Sequence, residues 1–449
     1  MTYSVPDSDS RVVQYAAVFT GLLNVVATGM HDGWPSAALP KLLAHSSSTP
    51  VTNNEGSWLA MMPLLGAPLG CLSAGYLVDV VGRKPFILMT SPLYFAAWLA
   101  IAFARNFEWL CVARFAAGIG IGWIFATVPI YICEICESSI RGFLGAYIAV
   151  SYNAGILLAT TVGSYLSIKN SALVSTAVPV LAFVSFVKFP ESPYYYLLRK
   201  RSKMAEETLQ KLNRRHELAS ISTIKDPTGV TGKLLDLFRI KHNRRASLIT
   251  LLFRVVQQMG GTGSLMFYVQ IIFKEVRHVS PETYSIVLFA VQLIVTIIAS
   301  CLVDRVGRRP LLICSTAGGG VCILALGVYF TVDQFSLVNV TNLYAVPVVL
   351  LIAYTFVTSL GLQPIPMLMV AEIFPPHLRG LAVGMGDIYY CLLWGASTKT
   401  FQATMDSYGI CVPFYIFCVV LFAGAICIWK YVPETKGKSL EQIDKEMTG

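Results

Sequence analysis

The chain has 449 residues, of which 55% are hydrophobic and 13% are charged, and its mean hydropathy is +0.63. Soluble globular proteins carry about a quarter charged residues, so the composition excludes an ordinary soluble domain and places most of the chain in lipid. The net charge of +9 indicates Lys and Arg on the cytoplasmic loops of a membrane protein rather than a nucleic-acid-binding surface.

Long apolar stretches predict about twelve transmembrane helices, because a helix needs about 20 apolar residues to cross the hydrocarbon core. The fold class that we expect is an all-α membrane protein. The predicted spans are 12–41, 56–78, 85–104, 107–131, 141–168, 171–189, 246–273, 281–303, 310–332, 343–371, 379–403 and 409–432.

The polar segment after the sixth span contains the largest concentration of Lys and Arg in the chain, and such segments face the cytoplasm. Periodicity from Met204 to His216 predicts a short helix there. With an even number of spans on each side, both termini are expected in the cytoplasm. The predicted divisions are a six-helix bundle at 1–189, a cytoplasmic helical linker at 190–245, a six-helix bundle at 246–432 and a cytoplasmic tail at 433–449.

A charged turn occurs once in each half of the chain. The segment GYLVDVVGRK recurs as SCLVDRVGRR, so that Asp79 and Arg83 correspond to Asp304 and Arg308. Such an internal repeat sets the architecture. In a membrane chain it predicts two pseudo-symmetric bundles related by an axis along the membrane normal, with a binding site between them.

Other charged residues follow the same repeat, namely Glu134 with Arg141, Glu372 with Arg379, and Glu191 with Glu434. Ion pairs between the two halves would form a cytoplasmic latch, closed when the central cavity faces outward and broken when it faces inward. A single surface pair contributes only about 0–1 kcal/mol, but a network can shift a two-state equilibrium. The alternative is that these charges only fix the orientation of the chain.

Arg114 begins an apolar run, and an Arg at membrane depth is a candidate functional residue. The alternative is that its side chain reaches the membrane interface. Gly118 and Gly122 follow with the GxxxG spacing, which permits close helix packing.

Catalytic and metal-binding patterns are absent from the sequence. Cys133 and Cys136 have CxxC spacing, but no second pair or nearby His completes a metal site. Without a P-loop or a Ser/His/Asp set, we expect neither an enzyme nor a cofactor or metal.

The motifs together resemble the sugar porter branch of the major facilitator superfamily. They cover the whole chain in the family's order: GYLVDVVGRK, Arg114, Glu134 with Arg141, PESP at 190–193, Gln257-Gln258, LVDRVGRRP, PIP at 364–366 with Glu372, and VPETKG at 432–437. Within this branch the chain is most similar to the insect facilitated trehalose transporters, through Gly33-Trp34-Pro35-Ser36, Asn153 and TKTFQ at 398–402.

The resemblance implies a sugar site between the halves. Gln257 and Gln258 would contact the sugar, because an amide both donates and accepts hydrogen bonds; the alternative is a structural hydrogen bond between helices. Phe267 and Tyr268 match the family's aromatic gate, and Asn153 is a further candidate.

Several of the family's ligand positions carry other residues. The departures are Gly263 for Asn, Ala149 for Gln, Met367 for Trp, and Tyr390 with Cys391 for an Asn-Trp pair, with Trp394 one turn further as a possible substitute. Each lost polar contact leaves a hydroxyl unpaired at about 1–3 kcal/mol. These departures argue against a standard glucose site and leave a larger, less polar or different ligand open.

His31-Asp32 is the one unusual pair in the first span. His31 falls at or beside the position that is Asp in proton-coupled members and Asn in several uniporters, and Asp32 beside it makes a proton relay possible. The alternative is that the helix reaches the surface at this pair.

We expect a plasma-membrane uniporter that moves a sugar such as trehalose or a hexose by alternating access. Its expected partners are the solute and the lipid bilayer, without nucleic acid or an obligate protein. Two alternatives stay open, a proton-coupled symporter and a non-transporting nutrient sensor, although a sensor needs a longer tail after Val432. A sequon at Asn339 predicts a glycan on the outside.

Overall fold

The computed structural model describes residues 8–44, 49–212, 214, 239–276, 280–336, 343, 345–374 and 376–436. Asn339, with its predicted glycan, and most of the predicted linker and tail lie outside the described residues. At Asp304 and Arg379 the structure describes the backbone only. Their predicted ion pairs, which involve the side chains, lie outside the described residues.

The described elements are helices: α1 (Ser8–Leu42), α2 (Asn53–Val81), α3 (Arg83–Ala102), α4 (Phe107–Ile135), α5 (Ser138–Tyr165), α6 (Ile168–Ser175), α7 (Ala177–Phe186), α8 (Pro193–Leu198), α9 (Ser202–Lys211), α10 (Lys241–Met259), α11 (Thr262–Lys274), α12 (Pro281–Val306), α13 (Arg308–Gln334), α14 (Ala345–Leu360), α15 (Ile365–Ile373), α16 (Pro376–Tyr408) and α17 (Cys411–Tyr431). They form twelve spans, six in each half. Three spans are broken: α6 with α7, α10 with α11, and α14 with α15. The predicted all-α, twelve-helix fold is confirmed.

Ten stretches of the described chain are both long and apolar enough to cross a membrane. The two spans that fall short of this test are the one formed by α10 with α11 and the one formed by α16. Polar residues inside a span are costly and usually functional. The low hydropathy of these two spans therefore indicates where the functional polar groups lie.

Two of the three broken spans, predicted at 246–273 and 343–371, break at glycine or beside proline. The first breaks at Gly260 and Gly261, and Gly261 has a φ of +94°, a left-handed conformation that favours glycine. The second breaks between Leu360 and Ile365, just before Pro364-Ile365, where proline cannot continue the hydrogen-bond pattern of the preceding turn. Broken helices are tolerated at membrane depth where they are buried in protein or line a cavity.

Glycines let α2 and α4 pack backbone to backbone. A Cβ added at Gly118 would lie 2.3 Å from the Pro63 carbonyl oxygen, and one added at Gly122 would lie 2.2 Å from that of Ala67. Gly66 on α2 meets α4 in the same way, since a Cβ added at Gly66 would lie 2.4 Å from the Phe115 carbonyl oxygen. The predicted close packing at the GxxxG spacing is confirmed.

The repeated turns have the same backbone in both halves. Gly82 and Gly307 have φ values of +110° and +108°, and each separates two consecutive spans. The end of the bundle that contains these turns, with Arg83 and Arg308, is called the basic end below.

Two described hydrogen bonds between the halves lie at the end opposite the basic end. Asn53 donates to Asp406 over 3.0 Å, and Lys399 donates to Ser57 over 2.8 Å. Nearer the basic end, a Cβ added at Gly384 would have no atom within 4 Å. The two halves are therefore closed against each other at one end of the bundle.

Replacing Gly118 by Val should destabilise the protein by about 1–3 kcal/mol, the usual cost of overpacking, because the new side chain would push α2 away from α4. Thermal unfolding of the detergent-solubilised protein measures this effect. Gly145→Ala is the matched control, since its Cβ would have no atom within 4 Å. Equal melting temperatures for Gly118→Val and the wild type would contradict the packing.

Candidate central site

A continuous series of side chains runs through the centre of the bundle. Its members, here called the central polar chain, are Asp387, Arg254, Gln257, Gln363, Gln292 and Asn153. Arg254 Nη2 contacts Asp387 Oδ1 at 3.0 Å, and Arg254 Nη1 donates to Gln257 Oε1 over 3.1 Å. Gln257 Nε2 then donates to the backbone oxygen of Gln363 over 3.3 Å.

The central polar chain reaches the other half through Asn153. Gln292 Nε2 donates to Asn153 Oδ1 over 3.0 Å and to Gln363 Oε1 over 3.4 Å, and Asn153 Nδ2 donates to Thr296 Oγ1 over 3.0 Å. Asn153 lies on α5 in the first half, whereas Gln292 and Thr296 lie on α12 in the second. A polar connection between the halves therefore crosses the position where the resemblance implies the sugar site.

The break between α10 and α11 exposes backbone groups that other residues satisfy. The Tyr354 hydroxyl donates to the Gly260 carbonyl over 2.9 Å, and Thr262 Oγ1 donates to the Gln257 carbonyl over 2.6 Å. An unpaired backbone group in a dry interior is costly. These two bonds stabilise a broken helix directly beside the two glutamines.

The two candidate glutamines differ in their partners. Both ends of the Gln257 amide are used within the protein, by Arg254 and Gln363. Gln258 is 1% exposed, and its Oε1 atom has no hydrogen-bond partner. Gln258 is therefore the member of the pair with an unused acceptor.

The aromatic candidates pack against each other. Phe267 stacks on Trp394 with centroids 4.8 Å apart, and Tyr390 meets Trp394 edge-on at 5.5 Å. A Cβ added at Gly263 would lie 2.1 Å from Trp394 Nε1, so glycine at this position makes room for the indole. Trp394 is 2% exposed and presents no open face for stacking on a sugar in this conformation.

Two other predicted candidates lie apart from these contacts. Tyr268 stacks on Phe401 at 5.0 Å and is 1% exposed. Met367 on α15 is 37% exposed, and no described contact joins it to the central polar chain.

The first half contributes a second buried polar group. His31 stacks on Trp98 with centroids 4.1 Å apart, and its backbone oxygen accepts a hydrogen bond from Arg114. Asp32 Oδ2 accepts from the Tyr152 hydroxyl over 2.9 Å, whereas its Oδ1 atom is buried without a partner. Arg114 is fully buried, so its side chain does not reach a surface in this conformation.

At the basic end of the first half, Arg83 lies between two carboxylates. Its side chain contacts Asp79 and Glu134, each at 3.0 Å. Glu191 accepts hydrogen bonds from the backbone N–H groups of Arg83 and Lys84 over 3.1 Å, which caps the start of α3. A carboxylate at a helix N-terminus interacts favourably with the helix dipole.

The second half repeats this arrangement. Arg308 contacts Glu372 at 3.1 Å, and Glu434 accepts from the backbone N–H groups of Arg308 and Arg309 over 3.1 and 3.0 Å. These pairs join residues of the same half, as do those of Arg83. Pairing between the halves stays a prediction for a conformation in which the basic end is closed.

Arg141 makes a local contact rather than a described pair with Glu134. Its Nη2 atom donates to the Cys136 carbonyl over 3.3 Å. The side chain of Arg379, its predicted counterpart in the second half, lies outside the described residues.

The family follows from a match over nearly the whole chain. A family model described as "Sugar (and other) transporter" matches residues 15–447. The chain belongs to this family. It is 32% identical to the facilitated trehalose transporter Tret1 of Bombyx mori, over 96% of this chain and 86% of the relative. It is 30% identical to Tret1 of Apis mellifera ligustica, over 94% of this chain and 85% of the relative.

Solved structures of the xylose transporter XylE from E. coli share the fold of this sugar-transporter family member. Its partially occluded inward-open conformation matches with a TM-score of 0.78 at 19% identity, covering 97% of this chain and 100% of that one. The inward-open conformation matches with a TM-score of 0.76 at 21% identity, covering 97% and 99%. The chain thus has the major facilitator fold.

Sequence reasoning missed four residues of this transporter's central polar chain: Arg254, Asp387, Gln292 and Gln363. A charged or amide side chain within an apolar run was the available signal, the same signal that selected Gln257. Among the described residues, no group of three His, Cys, Asp or Glu side chains is placed to hold a metal ion.

The two capping carboxylates of the transporter differ electrostatically. Burial raises the pKa of Glu191 above its ordinary value, although the N–H groups of Ser192 and Lys84 act in the opposite direction. Partial burial also acts to raise the pKa of Glu434, but four backbone N–H donors outweigh it, so that this pKa lies below its ordinary value.

At neutral pH, Glu434→Gln should lower the melting temperature more than Glu191→Gln. A carboxyl with a lowered folded-state pKa stabilises the protein above its unfolded-state pKa, and this contribution is lost as the pH falls through the folded-state pKa. The effect is measured by thermal unfolding of both variants at neutral pH and again at a pH below the ordinary pKa of a carboxyl group. If Glu434→Gln lowered the melting temperature as much in acid as at neutral pH, the lowered pKa of Glu434 would be contradicted.

Proposed function

We propose that the protein is a facilitative carrier that moves a neutral sugar such as trehalose down its gradient by alternating access. The named relatives support the solute class, because the chain is similar to facilitated trehalose transporters over most of its length. A hexose is the second solute of the same class.

The central polar chain carries this proposal. It places the amides of Gln257 and Gln363 at the breaks in two spans and reaches the other half through Asn153, at the interface where major facilitator carriers of this architecture bind solute. A sugar needs several hydrogen-bonding groups in an otherwise apolar pocket. Gln258 and Asn153 supply amides from opposite halves, and Tyr390 supplies aromatic surface on the same face as Asp387.

The contacts between the halves support an alternating-access mechanism. They close the end opposite Arg83 and Arg308, while Gly384 faces open space nearer the basic end. We assign the basic end to the cytoplasm, in accordance with its positive charge, and the protein to the plasma membrane with both termini inside. In this assignment the structure faces inward.

The two halves at 1–189 and 246–432 then act as the moving bodies, with 190–245 as the linker and 433–449 as the tail. Contacts of the linker support its position at the basic end. Arg214 donates to the Glu134 carbonyl over 2.7 Å, and Gln14 donates to the Leu212 carbonyl over 3.1 Å. The beginning of the linker is thereby fixed to the first half.

Proton coupling is the second candidate, and one observation favours it. Both ring nitrogens of His31 and the Oδ1 atom of Asp32 are buried without hydrogen-bond partners. Such groups are expensive in an apolar interior unless they serve a function.

Purified protein in proteoliposomes should take up labelled trehalose or a hexose saturably and without a pH gradient. An imposed gradient should leave the initial rate unchanged, and so should His31→Asn. Uptake that requires a pH gradient and is lost in His31→Asn would favour a symporter. Absence of uptake for trehalose, glucose, fructose and a polyol would contradict sugar transport and favour a sensor.

The double variant Arg83→Ala with Arg308→Ala should slow uptake about tenfold, which corresponds to about 1.4 kcal/mol in the balance between conformations. These arginines hold the charged groups of each half in place, and we assign the same groups to the closed cytoplasmic latch. Initial rates are compared at equal reconstituted protein and after thermal unfolding has confirmed the fold.

Arg105→Ala is the matched control for this variant, because Arg105 is exposed between α3 and α4 at the opposite end. A rate for the double variant equal to that of Arg105→Ala would remove the latch from the mechanism.

A further inference from the structure

Among the described residues of the central site, Arg254 and Asp387 form a buried ion pair. Arg254 is 5% exposed, and its Nη2 atom lies 3.0 Å from Asp387 Oδ1. Its guanidinium also lies 5.0 Å from the centre of the Tyr390 ring. A buried pair is weak evidence for stability, whereas ionisable groups at membrane depth mark functional sites.

Asp387 has an acceptor that the protein does not use. Its Oδ1 atom is taken by Arg254, but no described residue donates a hydrogen bond to Oδ2. The side chain remains 20% exposed, in contrast with 6% for its arginine partner. An ionised carboxylate accepts hydrogen bonds at both oxygens. Oδ2 is therefore available to a ligand.

The position of Asp387 on α16 brings it to the central site. Tyr390 and Cys391 lie three and four residues further along the helix and so on the same face. The same helix contacts α2 one turn beyond, where a Cβ added at Gly395 would lie 3.4 Å from Met61.

The charges around Oδ2 select the chemistry of the ligand. A cationic group would meet the Arg254 guanidinium, which is bound to the same carboxylate. An anionic group would meet the negative charge of Asp387 itself. A neutral ligand that donates hydroxyl groups meets neither repulsion. Hydrogen bonds from hydroxyls to a carboxylate are also short and strong.

From these observations we infer that Asp387 binds the transported ligand directly, by accepting hydrogen bonds from hydroxyl groups of a neutral polyhydroxylated molecule. Arg254 is a positioning residue: it holds Oδ1 so that Oδ2 faces the ligand, and it orients Gln257 through Oε1. This inference rests on the proposed function as a carrier of neutral sugars.

The assignment accounts for a departure in the sequence. The resemblance implies an amide and an indole at 390 and 391, where this chain has Tyr390 and Cys391. Asp387, one turn earlier on the same face, supplies a stronger acceptor than the missing amide. Tyr390 lies against the Arg254 guanidinium and so supports the pair.

The test measures the affinity of purified protein for its best transported sugar and for each monodeoxy analogue of that sugar, by ligand-induced shifts in melting temperature and by competition of uptake. In the wild type, one deoxy analogue should bind at least about tenfold more weakly than the parent. Asp387→Asn should weaken binding of the parent about ten- to a hundredfold. For the Asp387→Asn variant, removing that same hydroxyl from the sugar should weaken binding only slightly further.

If the single variant folds poorly, the double variant Arg254→Gln with Asp387→Asn is used instead, because it removes both charges and leaves a neutral pair. It should also be insensitive to the deleted hydroxyl. Asp333→Asn, exposed at the end of α13, is the control and should reproduce the wild-type ratio between parent and analogue.

A purely structural pair would change the melting temperature but leave the ratio between parent and deoxy analogue as in the wild type, and that result would overturn the inference while leaving sugar transport intact. Tighter binding of an amino sugar than of its parent would overturn the neutral-ligand assignment. If no sugar or polyol binds or is taken up, the proposed function and this inference both fail.

Discussion

The interior of a membrane protein offers no water to unpaired backbone groups, and this constraint determines the centre of the molecule. Breaking a span at Gly260 and Gly261 requires internal partners for the freed carbonyls, and Tyr354 and Thr262 supply them. The break in turn places Gln257 and Gln258 at the end of α10. The polar site is thus a consequence of how the backbone groups at the helix break find hydrogen-bond partners.

The architecture could be predicted from the sequence because its signals are local or repeated. Apolar length predicted about twelve spans, and the recurrence of Asp79 and Arg83 at Asp304 and Arg308 predicted the two halves. Gly118 and Gly122 predicted the packing of α4, since the spacing of small residues along one helix face is visible in the sequence.

Partnerships between distant residues could not be predicted in the same way. Arg254 and Asp387 lie 133 positions apart, and neither matches a position that the family resemblance assigns to the ligand. The charged turns illustrate a different limit. The order of the predicted spans places Arg83 and Glu134 at the same end, but it does not tell whether each ion pair forms within one half or between the halves. That choice depends on the conformation of the whole bundle.

The central polar chain is asymmetric between the halves, and this asymmetry bears on how the site opens. Its members lie in the second half except for Asn153, which bonds to Gln292 and Thr296 across the interface. If α5 moves away from α12, these two bonds must be exchanged for bonds to water or ligand. Each contributes a net free energy of only about 1 kcal/mol, so the exchange is small compared with the binding of a sugar. The second half can therefore retain a preformed site while the first half moves, and the ligand itself can replace Asn153's lost partners.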